Sequence, residues 1–253
     1  VWGTLSDGLC EAILMGDKAQ VYSRNDPSPY AGNYTVVIPG NLEDPSVPDG
    51  DSIGTVRVTP QGRLTFSGYL ADGTRVVQST ALSKDGAWPL HKVLYRRQGS
   101  LLGWVTVQPG QELAPAVHGI VQWTKPDNTG RYCPAGFSAE GTLTGCCYTP
   151  PPSRNDKVLD MAEGDLVLSG AYLPEPLVNP LCLEANNRVT NLGQCRAVLR
   201  VTKRTGAFSG SLWLPEQRRP LSIKGIFLQE QGCGRGFFLQ GDQSGQVLLQ
   251  PAP

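Results

Sequence analysis

A chain of 253 residues is long enough for one large domain or two small ones. Lys plus Arg and Asp plus Glu each total 22, and zero net charge argues against nucleic acid or an anionic membrane surface as partner, since both select for basic excess. Thirty Gly and 21 Pro suit short strands and tight turns, and no apolar stretch approaches the ~20 residues that cross a bilayer.

Strand signals dominate in chain order. The chain opens on Val1, so it reads as a processed protein or a piece of a longer one. Cys10 to Met15 is an apolar run that Gly8 and Gly16 bound too closely for a helix, so it is expected to be a strand. Tyr34 to Ile38 is β-branched and aromatic and stops at Pro39-Gly40. Asn41 to Ser52 is a polar loop carrying Glu43, Asp44, Asp49 and Asp51. Thr55 to Thr59 alternates, with Val56 and Val58 on one face and Arg57 on the other. Leu64 and Phe66 alternate with Arg63 and Thr65. Ala71-Asp72-Gly73 is a hairpin signal, expected to place both Asp72 and Gly73 at positive φ, and Thr74 to Thr80 is the returning strand. Leu101 to Val107 and His118 to Thr124 complete the first half. Pro150-Pro151-Pro152 makes a stiff extended spacer. Beyond it, Asp165 to Ser169, Arg196 to Thr202, Gly206 to Leu214, Leu221 to Gln229, Gly236 to Gln240 and Gly245 to Leu249 read as strands, with a turn at Asp242 to Gly245.

One strand sequence occurs twice. Val56-Arg57-Val58-Thr59 precedes Phe66-Ser67-Gly68, and Leu199-Arg200-Val201-Thr202 precedes Phe208-Ser209-Gly210. An echo at the span of a small domain points to two copies of one folding unit. The expected fold is therefore all-β: two pseudo-repeated antiparallel barrels or sandwiches, able to share an interface, over residues 1–127 and 128–253, with the triple proline as the other candidate boundary.

The seven cysteines are Cys10, Cys133, Cys146, Cys147, Cys182, Cys195 and Cys233, and no two form the CxxC pair that marks zinc. They are expected to be mainly disulfides in an oxidising compartment, with adjacent Cys146 and Cys147 bonded to different partners and one thiol left over, free or bridging to another chain. The other reading is a reduced protein with buried thiols.

The segment Tyr30 to Phe137 resembles a β-rich domain that recurs in large secreted proteins of verrucomicrobial-type environmental bacteria. The likeness rests on Tyr30-Ala31-Gly32-Asn33-Tyr34-Thr35, Ile38-Pro39-Gly40, Asp72-Gly73-Thr74, Ser83-Lys84-Asp85-Gly86 with Trp88-Pro89, Gly103-Trp104 and Pro134-Ala135-Gly136-Phe137. It continues through Thr205-Gly206-Ala207-Phe208-Ser209-Gly210 and Gly236-Phe237-Phe238-Leu239. The resemblance implies a β fold and a place outside the cell or on its surface, and it brings no activity or cofactor. Cys133, Cys146 and Cys147 depart from the family pattern.

Chemistry is sparse. His91 and His118 are the only histidines, and no G-x-S-x-G elbow accompanies them. The acidic loop from Asp44 to Asp51 could hold calcium, but it lacks the full D-x-[DN]-x-[DN]-G series. Gly232-Cys233-Gly234-Arg235-Gly236 precedes a strand, so no helix N-terminus would hold a pyrophosphate, and the glycines read as a bulge or turn. Trp104 and Trp123 lie in apolar strands and read as core, while Trp88, in a turn before Pro89, is the candidate for stacking on a sugar. The expected function is non-catalytic: an extracytoplasmic structural or interaction protein that joins other chains or its own copies through sheet edges and loops, without a cofactor. The alternative is a glycan-binding module.

Overall fold

The computed structural model describes residues 1–109, 115–215 and 217–252. Among them the regular structure is eighteen strands and two single 3₁₀ turns, without an α-helix. β1 (Trp2–Ser6) and β2 (Glu11–Met15) form a separate hairpin. β3 (Gly32–Ile38), β4 (Ser52–Val58), β5 (Arg63–Tyr69), β6 (Arg75–Ala81), β7 (Ala87–Leu94), β8 (Gly99–Val107), β9 (Val117–Lys125) and β10 (Phe137–Cys147) make one eight-stranded antiparallel sheet, ordered β6-β5-β4-β3-β10-β9-β8-β7. A second eight-stranded sheet holds β11 (Glu163–Gly170), β12 (Leu177–Leu183), β13 (Val189–Asn191), β14 (Arg196–Thr202), β15 (Ala207–Trp213), β16 (Leu221–Leu228), β17 (Cys233–Gln240) and β18 (Gln243–Pro251), ordered β13-β12-β11-β18-β17-β16-β15-β14.

In each large sheet the first strand pairs with the last and every other pair is consecutive, leaving one seam. Each is a nearly closed up-and-down barrel. At the first seam, β6 to β7, Gln78 Nε2 donates to the Pro89 carbonyl at 2.9 Å and Trp88 Nε1 donates to Gln78 Oε1 at 3.1 Å. Pro89 is tolerated there because a seam strand needs no ladder N–H on its free side. At the second seam, β13 to β14, Asn191 Oδ1 accepts from Ala197 N at 3.3 Å and from Asn179 Nδ2 at 2.7 Å.

The echo is a packing device. Phe66 and Phe208 both turn into their barrels, against Trp88 and Phe227 at centroid distances of 5.4 and 4.9 Å. A Cβ on Gly54 would stand 2.3 Å from the Phe66 ring, and one on Gly225 2.0 Å from Phe208, so each ring lies over a bare backbone. The glycines of the two Phe-Ser-Gly triplets are equally constrained: a Cβ on Gly68 or Gly210 would reach 2.2 or 1.9 Å from the neighbouring strand's carbonyl oxygen. β4 is the second strand of its barrel and β14 the fourth of its own, so the echo relates the two units with a two-strand offset.

The division at residue 127 needs correction. β9 and β10 pair from Lys125↔Phe137 onward, and β10 also pairs with β3. Residues 128–147 therefore close the first barrel, and the chain crosses between sheets over residues 148–162, which include the triple proline. The Asp72-Gly73 turn also differs in detail. Only Gly73 has positive φ, at 85°, and Leu70 N donates to the Thr74 carbonyl at 2.8 Å, a three-residue loop with glycine in the left-handed position.

The barrels lie wall to wall. Ile226 and Leu228 of β16 and Phe237 of β17 belong to the same buried cluster as Val37 of β3 and Ile53 of β4, while Ile223, Phe227 and Phe238, alternating with them, fill the second barrel. A strand's period of two gives these residues opposite faces. Burying such side chains contributes about 1.5–3 kcal/mol each, so the join is an extension of the core.

Candidate functional site

All seven cysteines stand free, so the expected disulfide framework is corrected. Cys10 is exposed on the turn between β1 and β2, where its N–H donates to Asp7 Oδ1 at 2.7 Å. Cys133 is buried in the β9–β10 connection; its N–H donates to the Asp242 carbonyl at 2.7 Å, and burial pushes its thiol up to about 11. Cys146 lies opposite Thr35 in the β10–β3 ladder, with Thr35 Oγ1 at 3.5 Å from its sulfur. Cys147 presents its N–H to Glu230 Oε1 at 3.1 Å, across the join. Cys233 packs against the first barrel's cluster. Cys182 lies in β12, and Cys195 is buried beside the second seam, its N–H donating to Asn179 Oδ1 at 3.1 Å. Burial raises the thiols of Cys146, Cys147 and Cys233 as well. Such thiols behave as small hydrophobes.

Trp88 cannot stack on a sugar. It lies in β7, fully buried, with its ring on Phe66 and its N–H committed to Gln78. Trp104, expected in the core, is instead 37% exposed on the outer wall of β8. The register explains the exchange: Trp88 stands opposite Val105, while Trp104 stands opposite Pro89 on one side and Ile120 on the other. Trp123 is buried as expected, edge-on to Phe137 at 4.6 Å. His91 lies exposed on β7, and His118 Nδ1 lies 3.5 Å from Gln108 Nε2.

The acidic loop is a clamp. Asp51 is buried and paired with Arg235 of β17, Oδ2 to Nε at 2.8 Å and Oδ1 to Nη2 at 3.1 Å. Its Oδ1 also accepts from Gly40 N at 3.0 Å and Gln246 Nε2 at 3.3 Å. Asp49 Oδ2 accepts from Ala171 N at 2.9 Å, and burial raises its carboxyl above the ordinary range. Asp44 turns back onto Ser46, taking its Oγ at 2.6 Å and its N–H at 2.9 Å. With its carboxylates on separate partners the loop offers no calcium cage, and among the described residues no three His, Cys, Asp or Glu side chains converge on a metal position. The glycines after residue 231 serve the backbone: Gly232 is left-handed at φ 64° and ends a 3₁₀ turn, and a Cβ on Gly236 would reach 2.0 Å from the Lys224 carbonyl.

Sequence reading missed a buried polar centre at one end of the first barrel. Lys125 Nζ donates to Asp72 Oδ2 at 2.6 Å, with side chains 2% and 1% exposed. Tyr95 Oη donates to the same oxygen at 2.7 Å and accepts from Trp123 Nε1 at 3.0 Å. Tyr95, Arg96 and Arg97 all have positive φ, at 49°, 56° and 75°, strained backbone that this network holds in place. Burial, followed by the charge of Asp72, raises the Tyr95 hydroxyl far above its ordinary range. Every member is matched to a partner, which makes the centre a structural plug.

Two outer surfaces bear on function. On one, Leu102 and Ile120 are 41% and 60% exposed beside Trp104. A hollow of about 270 Å³ lies between Trp104 and the hairpin residues Val1, Trp2 and Met15. The other is a cleft of about 240 Å³ at the join, between the β3–β4–β5 wall and the β14–β15 turn.

No family model matches the chain, and no curated protein does. Solved structures give distant likenesses. An endo-1,5-α-L-arabinanase from Thermotoga petrophila aligns at 8% identity over 99% of this chain and 66% of its own, with a TM-score of 0.28. A family 43 glycoside hydrolase from Bacillus licheniformis aligns at 11% identity over 86% of this chain and 52% of its own, with a TM-score of 0.27. A protein of unknown function from Nostoc punctiforme aligns at 12% identity over 87% of this chain and 95% of its own, with a TM-score of 0.23. This chain spans just under two thirds of the arabinanase and about half of the Bacillus protein. At these scores the likenesses carry no weight for function. The structure itself defines the class: a tandem of up-and-down β-barrels joined through their walls.

Proposed function

We propose that the chain is a non-catalytic structural module, placed outside the cell or on its surface like the domains it resembles, and that it joins to other copies of itself through a barrel wall. The observation that carries this reading is the exposed apolar face formed by Leu102, Trp104 and Ile120 on β8 and β9. Contiguous exposed apolar surface marks contact sites more often than chance. The chain supplies a precedent, because its own barrels are held together by the same kind of packing, Ile226, Leu228 and Phe237 against the β3–β4 wall. A second copy is therefore the occupant that suits this face. Strand addition is a weaker route than the sequence suggested, because the edges of each large sheet turn toward one another across a bonded seam. The buried ionisable side chains support a non-catalytic role, since Asp51, Asp72 and Lys125 are each engaged by structural partners.

Sedimentation velocity over a concentration series tests the reading. The native chain should associate reversibly, and Trp104→Ser with Ile120→Lys should hold it as a monomer. A native chain that stays monomeric throughout contradicts the proposal, as does turnover of a polysaccharide by the purified protein.

A further inference from the structure

The cleft at the join has a chemistry that the apolar wall lacks. Two arginines, Arg57 of β4 and Arg204 of the β14–β15 turn, line it, and no carboxylate does. Among the described residues neither guanidinium has an ion-pair partner. Both side chains are exposed, so their charge is open to a ligand from solvent. A third cation stands close by in sequence: Lys203 Nζ rests on the carbonyls of Ser153 and Arg154, at 2.5 and 2.8 Å. The local excess of positive charge sits on a protein of zero net charge.

The floor is a ladder of polar side chains. Asn33, Arg57 and Thr65 stand side by side across β3, β4 and β5, and Thr55 stands opposite Ser67 one step along. Thr65 Oγ1 lies 3.2 Å from Ser79 Oγ, and Thr55 Oγ1 donates to the Ser67 carbonyl at 3.2 Å. The far wall is Tyr148 and Thr205. Tyr148 is held rigidly, its hydroxyl donating to the Lys203 carbonyl and its ring lying under Gly206, where a Cβ would approach within 2.5 Å. The β14–β15 turn of the second barrel thus brings Arg204 to a hydroxylated wall of the first, in a cleft lined by residues of both barrels.

We infer that this cleft binds an acidic sugar residue, its carboxylate or sulfate between Arg57 and Arg204 and its hydroxyls on Asn33, Thr65 and Ser67. Guanidinium groups are matched to such oxyanions by their planar fork. A space of about 240 Å³ is smaller than the ~300 Å³ at which sites for drug-sized ligands begin, so one ring of a longer chain fits its scale. This places any glycan contact on a different surface from Trp88 and from the Trp104 wall, and it does not depend on self-association.

The test is calorimetric titration of the whole chain with three probes: a heparin-derived oligosaccharide, an oligogalacturonate and a neutral cello-oligosaccharide. At least one acidic probe should bind and the neutral one should not, the sulfated and carboxylated arms separating the two sources of the oxyanion. Arg57→Ala with Arg204→Ala should weaken binding about tenfold or more, the loss expected for charge-assisted hydrogen bonds. Arg75→Ala, an exposed change on β6, should leave it unchanged. Equal binding of the neutral probe, binding that survives the double substitution, or no binding of either acidic probe overturns the inference.

Discussion

The two barrels share a topology and bury polarity by opposite means. The first closes one end with a salt bridge, Lys125 on Asp72, roofed by Tyr95 and Trp123. The second uses neutral amides. Asn179 and Asn191 cross-link its seam, and Asn187 ties the incoming chain to the barrel by accepting from Val158 N and donating to the Asp156 carbonyl, each at 2.7 Å. The charged plug gains strength from its dry surroundings but is costly to interrupt, because losing one member strands a charge. An amide network loses at most a few unmatched hydrogen bonds.

Breaking each network should expose that difference. Lys125→Ala leaves Asp72 buried and unpaired and should cost about 3–5 kcal/mol, read as a lowered urea midpoint. Asn179→Ala, in the second barrel, should cost about 1–3 kcal/mol. Replacing both partners, as Asp72→Leu with Lys125→Met, should recover much of the Lys125→Ala loss, since neither charge is then stranded. If Asn179→Ala were the more damaging of the two single changes, the contrast between the barrels would fail.

Alkaline pH sharpens the comparison with a smaller effect. Burial pushes Tyr34, inside the first barrel, up to about 12, and Tyr148, at the join, equally to about 12. Above the ordinary tyrosine value of 10.0 the unfolded chain gives up these protons while the folded chain keeps them. The folded state then binds more protons, and stability falls as pH rises from 10 toward about 12. Tyr95 adds to the same loss in the first barrel. Urea unfolding followed by tryptophan fluorescence, which reads mainly the first barrel through Trp88 and Trp123, should show the midpoint dropping over that range. Tyr34→Phe should reduce the drop.

Much of the fold was legible because most strands alternate or are β-branched, as Tyr34 to Ile38 and Val56 to Val58 are. The strands that escaped notice have physical reasons. β7 contains Pro89, which is acceptable only at a seam, and a seam is a property of the closed barrel. β12 contains Pro180 for a similar reason: β13 begins to pair one residue beyond it, at Leu181↔Asn191. β10 is built of glycine and small polar residues and carries little intrinsic strand preference. The exchange of Trp88 and Trp104 was a matter of parity, since a one-residue difference in register reverses inside and outside. Asp72 and Lys125 lie 53 residues apart, and nothing local to either marks the other. The cysteines misled because their clustering imitates a disulfide framework, whereas their individual surroundings, a ladder, a seam and a wall, are those of packed thiols.

The barrels are one body, with β16 and β17 contributing to the core around β3 and β4. Scanning calorimetry of the intact chain addresses that directly. A single transition whose calorimetric and van't Hoff enthalpies agree is the predicted result, and two resolved transitions, one per barrel, would contradict it.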